Sequence, residues 1–294
     1  MLNLFETVKE HPAVFKQLAC KVLLCTHFDC PQETALQSLY SEHNFIVYVF
    51  KGKRVLFQPG HTYEMTEGRC IFSKKGGWMS QKETEEGWSV MVFFLPDSFL
   101  QEFFNEYQSY LPPVAGYKEA NAQMINLEVN ETTKSFFHAM LPYFVQTPCP
   151  PETLLEIKFR ELLFNLLINP GNKSFLYQLR TIAEAHKQSL SEIMDANFVY
   201  NLPLKDFAKL AHLSLSSFKR EFRKVFQTTP AKWLMQKRLD YASMLIGTSP
   251  KSINDIAFES GFENNSHFSR VFRDRFGVSP LQYRKQLMPS LVPF

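Results

Sequence analysis

One pattern is written twice near the C-terminal end of this 294-residue chain. Its first copy runs from Leu204 to Trp233 (LKDFAKLAHLSLSSFKREFRKVFQTTPAKW) and its second from Ile253 to Tyr283 (INDIAFESGFENNSHFSRVFRDRFGVSPLQY). Asp206 and Ala208 match Asp255 and Ala257 at an offset of 49. Phe218, Phe222, Phe226, Pro230 and Trp233 match Phe268, Phe272, Phe276, Pro280 and Tyr283 at an offset of 50. The one-residue slip falls midway through each copy, where a turn between two elements absorbs an insertion. In the second copy Ile253, Ile256 and Ala257 share one helix face, and Gly261 supplies the left-handed residue that ends it. Phe268, Phe272 and Phe276 then recur at i, i+4 and i+8, the inner face of a second helix. Its other face carries Asn265, Ser266, Ser269, Arg270 and Arg273. The first copy repeats this with its three phenylalanines inside and Ser216, Lys219, Arg220 and Arg223 outside. Two helices at a steep angle, the second short, amphipathic and basic, are a shape that fits the major groove of DNA.

From about Lys187 onward the chain resembles the DNA-binding domain of the AraC/XylS family of bacterial transcription regulators. The second copy carries the family signature without a gap: Ile253, Ile256, Ala257, Gly261, Phe262, Phe268, Arg270, Phe272, Gly277, Ser279, Pro280, Tyr283 and Arg284. The first copy departs from it. Gln227 stands where the family usually has glycine, Thr229 where it has serine and Trp233 where it has tyrosine. His212 takes the turn position of Gly261, and histidine tolerates a left-handed backbone better than most residues. The resemblance implies two helix-turn-helix units joined by a long helix, Pro230 to Ile246, on which Arg238, Ala242 and Leu245 match the family.

Charge agrees with a nucleic-acid partner. Residues 187–294 hold 16 Lys/Arg against 9 Asp/Glu, whereas residues 1–186 hold 16 against 20. The basic surplus therefore lies on the half with the paired units, where phosphate binding needs it. A composition of 45% hydrophobic and 21% charged residues is that of a soluble globular protein, and the length suits two domains. No apolar run approaches a membrane span, and the N-terminus lacks the basic-then-apolar order of a signal peptide, so the expected location is the cytoplasm. Cys20, Cys25, Cys30, Cys70 and Cys149 read as reduced thiols, although the first three leave open a thiol, zinc or oxidant sensor.

The N-terminal half reads as strands followed by helices. Cys20 to Leu24 is a candidate strand and Phe28 to Pro31 a loop. Phe45 to Phe50 and Arg54 to Gln58 are strands on either side of a Lys51-Gly52 hairpin turn. Pro59-Gly60 is a further turn, and Thr62 to Met65, Arg69 to Ser73 and Ser89 to Leu95 are further strands, with Gly76-Gly77 as a break between them. Ser98 to Tyr107, Glu131 to Phe144 and Glu152 to Ile168 read as helices. Strands at this spacing suggest a small β-barrel or sandwich, which resembles the cupin-like sensor domain of the same family. With that resemblance the expected fold is α+β in two domains: a cupin-like β-barrel or sandwich with helices at its C-terminal end, then an all-α domain with two helix-turn-helix units. The boundaries read as 1–172 for a sensor and dimerisation domain, 173–187 for a linker and 188–294 for the DNA-binding domain. In element order the first half also resembles the AraC-type activators of type III secretion genes.

Base contacts are expected from the exposed first turns of the two recognition helices: Ser216, Lys219 and Arg220, and Asn265, Ser266, His267, Ser269 and Arg270. Arginine forks two donors to guanine and asparagine pairs in the same way with adenine. Arg270 also admits an internal salt bridge. Arg223, Lys224, Arg273 and Arg275 lie further along and are phosphate candidates. The helix from Glu152 to Ile168 is apolar most of the way round, which requires burial on more than one side. Packing inside its own domain is one way to meet this; the resemblance implies another, a homodimer contact at Leu155, Phe159, Leu162, Leu163 and Leu166.

The partners expected are double-stranded DNA, a second copy of the chain, RNA polymerase, and an effector that is either a small molecule or a protein. No cofactor and no metal is expected, because the strand region offers only His43 and His61 and no H-x-H pair. Two other readings remain at this point. One is a cupin-type metalloenzyme with an accessory DNA-binding domain, and the other is an architectural DNA binder with little sequence preference.

Overall fold

Phe45 to Phe50 and Val90 to Leu95 are apolar at every position, not at every second one. Such strands must be covered on both faces. The computed structural model, which describes residues 1–30, 36–82, 87–113, 122–184 and 189–287, shows what covers them. Two units separate, Met1–Gln188 and Ser189–Phe294.

The first unit contains β1 (Leu2–Asn3), α1 (Leu4–Glu10), β2 (Lys16–Cys20), β3 (Leu23–Cys30), β4 (Gln37–Ser41), β5 (Asn44–Lys51), β6 (Lys53–Gln58), β7 (His61–Thr66), β8 (Cys70–Ser73), β9 (Gly76–Lys82) and β10 (Trp88–Leu95). It continues with α2 (Asp97–Tyr107), β11 (Met124–Leu127), α3 (Glu131–Met140), α4 (Glu152–Leu167) and α5 (Lys173–Glu184). One sheet has the order β1-β4-β9-β6-β7 and the other β11-β8-β5-β10-β3-β2. The two sheets face each other across one core, to which β5 and β10 send Phe45, Val47, Val49, Val90, Val92 and Phe94. Their alternate residues Ile46, Tyr48, Met91, Phe93 and Leu95 enter a second core, built with the helices. There Tyr48 stacks on Phe137 with ring centroids 4.2 Å apart. The six-stranded sheet is thus the middle layer of three, which accounts for its continuous apolar strands.

Several local expectations change. Lys51-Gly52 joins β5 to β6 without forming a hairpin, because the two strands belong to different sheets. Gly52 has φ +91°, and a Cβ there would lie 2.4 Å from the Gly87 carbonyl oxygen, so the crossing backbone leaves no room for a side chain. Gly76-Gly77 is not a break; both residues pair with β4, Gly76 opposite Ser41 and Gly77 opposite Tyr40. Lys21-Val22 is a turn inside the segment expected as a strand, with Cys20 opposite Leu23, and Phe28 to Cys30 extend β3 along β10. Pro31 lies outside the described residues. Pro59-Gly60 does close a hairpin, with Gln58 opposite His61.

The helix expected at a dimer contact is internal. Leu155, Phe159, Leu162, Leu163 and Leu166 are all buried in the second core, where no other chain reaches them. The apolar girth of α4 is explained by packing within its own unit. The segment read as a linker is also part of this core: α5 buries Phe175, Leu176, Leu179 and Ile182. An amphipathic helix with that much apolar area stays docked instead of spanning two units.

The second unit is all helical: α6 (Leu190–Asn197), α7 (Leu204–Leu210), α8 (Leu215–Phe226), α9 (Pro230–Thr248), α10 (Ile253–Glu259), α11 (Asn265–Phe276) and α12 (Pro280–Leu287). A capping box starts α6, with Ser189 and Glu192 satisfying each other's backbone amides. Phe218 and Phe222 on α8, and Phe268 and Phe272 on α11, are fully buried.

Candidate nucleic-acid interface

From the end of its first helix onward, each repeat folds into the same local structure, although α10 begins on a Ser252 side-chain cap and α7 on Pro203 without one. Helix α7 ends with His212 at φ +53° and α10 with Gly261 at φ +85°. In each, the next residue's amide reaches back five positions, Leu213 to the Ala208 carbonyl and Phe262 to the Ala257 carbonyl, both at 2.9 Å. This is the left-handed termination that satisfies a helix's last carbonyls while turning the chain. Each recognition helix then begins on a side-chain cap. Ser214 Oγ accepts from the Ser217 amide and Asn264 Oδ1 from the His267 amide. Both end on a second left-handed residue, Gln227 and Gly277, whose amides bond the carbonyls of Arg223 and Arg273.

With the phenylalanines turned inward, the other face of α8 is open. Ser216, Lys219, Arg220, Arg223 and Lys224 are all exposed. Lys219, Arg220, Arg223 and Lys224 line a concave surface of about 770 Å³, together with Leu204 and residues 228–231. Glu221 lies among these cations, accepting from Lys224 Nζ at 3.0 Å with Arg220 Nε at 3.6 Å. The bond from Lys224 holds the Glu221 carboxyl below its usual range. On α11, Ser266, His267, Arg270 and Arg273 are exposed, whereas Asn265 and Ser269 are half-buried. The Asn265 Oδ1 is shut off from solvent without a hydrogen bond, so this side chain is only partly available to a base. Arg270 has no carboxylate partner among the described residues. Arg275 does: its guanidinium bonds Asp240 on α9, and its side chain is 34% exposed against 67% for Arg220. Arg275 therefore braces α11 against α9, in a place that the sequence pattern alone could not separate from a phosphate contact.

Arg238, which the signature marks but whose role spacing could not supply, is part-buried at the middle of α9. Burial lowers its pKa below the usual guanidinium value, opposed by the charge of Glu263.

The first unit holds a different feature, an apolar cavity of about 540 Å³ between its two sheets. Phe45, Leu56, Trp78, Trp88 and Val90 are among its walls. Arg54 lies over the Trp88 ring at 5.3 Å and donates to Ser80 Oγ at 3.5 Å. Among the described residues no three His, Cys, Asp or Glu side chains group to hold a metal ion. Cys20, Cys25 and Cys70 are buried, and burial pushes all three thiols up, which makes them poor nucleophiles and poor sensors. The Cys30 side chain lies outside the described residues.

Comparison with known proteins decides the family. Residues 44–178 match the ExsA N-terminal regulatory domain, and residues 207–286 match a helix-turn-helix domain. The chain belongs to the AraC family of transcription regulators. This AraC-family chain is a DNA-binding regulator and not an enzyme. It is 27% identical over 239 residues to the thermoregulatory protein LcrF of Yersinia pestis, spanning 81% of this chain and 88% of that one. It is 24% identical over 270 residues to the HTH-type transcriptional regulator ExsA of Pseudomonas aeruginosa, covering 92% and 95%. A crystal structure of apo ToxT from Vibrio cholerae aligns with a TM-score of 0.44 at 17% identity, over 91% of this chain and 98% of that one. Among the described residues no helix is long and apolar enough to cross a membrane.

Proposed function

We propose that this regulator is a sequence-specific transcription activator that reads an asymmetric DNA site with both helix-turn-helix units. The observation that carries the reading is the pair of equally built units, each presenting an exposed basic helix from a buried phenylalanine spine. Ser216, Lys219 and Arg220 read bases from α8; Asn265, Ser266, His267, Ser269 and Arg270 read them from α11. Arg223, Lys224 and Arg273 neutralise phosphates, and Arg275 belongs with them only where it leaves Asp240. Two recognition helices on one connecting helix enter successive major-groove segments, so the two target blocks lie about 10 base pairs apart. Activation is favoured by relatives named as activators, among them the virulence regulon transcriptional activator VirF of Yersinia enterocolitica. An activator of this kind works in the cytoplasm and contacts RNA polymerase.

The first unit, with α5 included, acts as the sensing and dimerising part, and the unit from Ser189 onward as the DNA-binding part. The inter-sheet cavity is the place for a small-molecule effector, and the outer surface of the same unit is the place for a protein effector. The homodimer contact uses exposed surface of that unit, since the five leucine and phenylalanine side chains first expected there are consumed by the core.

The test is selection of genomic fragments by the purified full-length protein at near-physiological salt, followed by sequencing. A recurrent motif of two blocks about one helical turn apart is expected. Equal recovery of all sequences would replace this reading with that of an architectural DNA binder.

A further inference from the structure

The two helix-turn-helix units are joined covalently by α9 alone, 19 residues that span about 28 Å. Apolar packing docks each unit on this helix, with Trp233 against Phe222 in the first and Leu239, Ala242 and Ile246 against Phe268 and Phe272 in the second. A contact that touches both units at once ties one directly to the other. Arg238 makes that contact. Its Nε donates to the Phe198 carbonyl at 2.7 Å and its Nη2 to the Tyr200 carbonyl at 2.9 Å. Both carbonyls belong to the connection between α6 and α7, the entrance to the first unit. Its Nη1 donates to the Gly261 carbonyl at 3.0 Å, in the turn of the second unit. One guanidinium therefore holds three backbone oxygens from both units in a single plane of donors.

The backbones themselves meet at the same place. A Cβ on Gly261 would lie 2.4 Å from the Val199 carbonyl oxygen and 3.0 Å from Arg238 Nε. The second unit's turn thus rests directly on the first unit's entrance, and Arg238 fastens the contact from the side. Its partners are carbonyls, not carboxylates. Three hydrogen bonds from a charged donor offset the cost of burying it. What the planar fork supplies is orientation, which a lysine's single ammonium on a flexible stem cannot reproduce toward three oxygens.

We propose that Arg238 is the positioning residue that sets the phase of the two recognition helices, and so fixes the spacing at which the protein accepts its two DNA blocks. This rests on the reading of α8 and α11 as paired DNA readers. A clamp that holds both helices in register lets the second engage as soon as the first is bound; loosening it spreads the same two contacts over several spacings and lowers the gain from engaging both.

The experiment uses the full-length protein, wild type and Arg238→Lys, to select from a pool of random-sequence DNA duplexes. The readout is the distribution of distances between the two enriched blocks. Wild type is expected to enrich one spacing. Arg238→Lys is expected to enrich the same block sequences over a range of spacings one or two base pairs wider. Its affinity for the wild-type arrangement should fall roughly tenfold, while affinity for a duplex with one block stays nearly unchanged. A single unchanged spacing in Arg238→Lys would overturn the proposal, whether or not affinity falls, because a merely structural role weakens binding without moving the spacing. Arg238→Gln, which keeps a planar donor without the charge, is carried alongside with thermal melting of both variants. Should neither variant fold, Arg238 is a stability residue and the proposal fails. Should wild type itself enrich no paired blocks, it is the DNA reading of α8 and α11 that fails, a result distinct from the others.

Discussion

At position 224 the first helix-turn-helix unit has a lysine; at the matching position 274 the second has an aspartate. Lys219 is likewise replaced by Ser269, and Leu215 and Ser217 by Asn265 and His267. The recognition-helix caps and left-handed turns are shared, so these exchanges mainly alter what each helix presents on its outer face, although Asn265 and Ser269 are half-buried. The first unit offers four exposed cations on one concave surface. The second offers Arg270 and Arg273 among amide, hydroxyl and imidazole groups, with its third arginine turned to Asp240. One scaffold used twice can therefore divide the work: phosphate neutralisation weighted to the first unit, base discrimination to the second.

The largest expected effect tests whether the left-handed positions of the second unit are equivalent. Gly261 is confined by the Val199 carbonyl, whereas a Cβ on Gly277 would meet nothing within 4 Å. Gly261→Ala should cost roughly 3 kcal/mol, combining backbone strain with a clash. Gly277→Ala should cost about 1 kcal/mol from strain alone. Urea unfolding of the full chain measures both. Equal losses would mean that the contact between the units yields easily.

Next come the two arginines at matching positions. Arg220→Ala and Arg270→Ala should each weaken binding to the preferred site by roughly 1–3 kcal/mol and relax the sequence preference there. If Arg220→Ala instead weakens all duplexes alike while Arg270→Ala does not, the division between the units is complete, with α8 binding phosphates only.

The difference between the halves of the chain also governs what could be read without coordinates. The paired units were legible because local rules suffice: phenylalanines four residues apart, a glycine at a left-handed turn, and a repeat to check one copy against the other. The sandwich was legible as strands but not as a topology. Nothing in Lys51-Gly52 tells that the chain changes sheets there, since the deciding neighbour is Gly87, 35 positions away. Strand β9 hid behind Gly76-Gly77, which are paired in spite of their turn-like sequence. Helix α4 was recognised as apolar all round, yet periodicity does not say whether the second covering is another chain or the same one. For Arg275 and Arg238 the partners are Asp240 and three backbone carbonyls, fixed only by the fold.

A smaller effect separates free cations from tethered ones. Arg223→Ala should flatten the dependence of log K on log salt by about 0.9, and Lys224→Ala by less, because its ammonium is paired with Glu221. Arg275→Ala should flatten it far less, since its charge is already matched by Asp240. A full loss of slope in Arg275→Ala would show that the ion pair opens on DNA and that the second unit is as strong a phosphate binder as the first.

The smallest effect concerns the ends of the recognition helices. Gln227 sits at φ +52° where its counterpart is Gly277 at φ +79°. A side chain in this conformation is strained by about 1–2 kcal/mol. Glycine removes that strain but gives the unfolded chain more freedom to lose. Gln227→Gly should therefore stabilise the protein by a net ~0.5–1 kcal/mol, and Gly277→Gln should do the reverse. The DNA side of the same variant decides why a glutamine is there. Gln227 is exposed and follows directly on the cationic end of α8, three residues after Lys224. If Gln227→Gly gains stability and binds DNA as before, the strain serves nothing at the interface. If it gains stability and loses affinity, Gln227 is itself a DNA contact, held at a cost in folding that the second unit, with its glycine, does not bear.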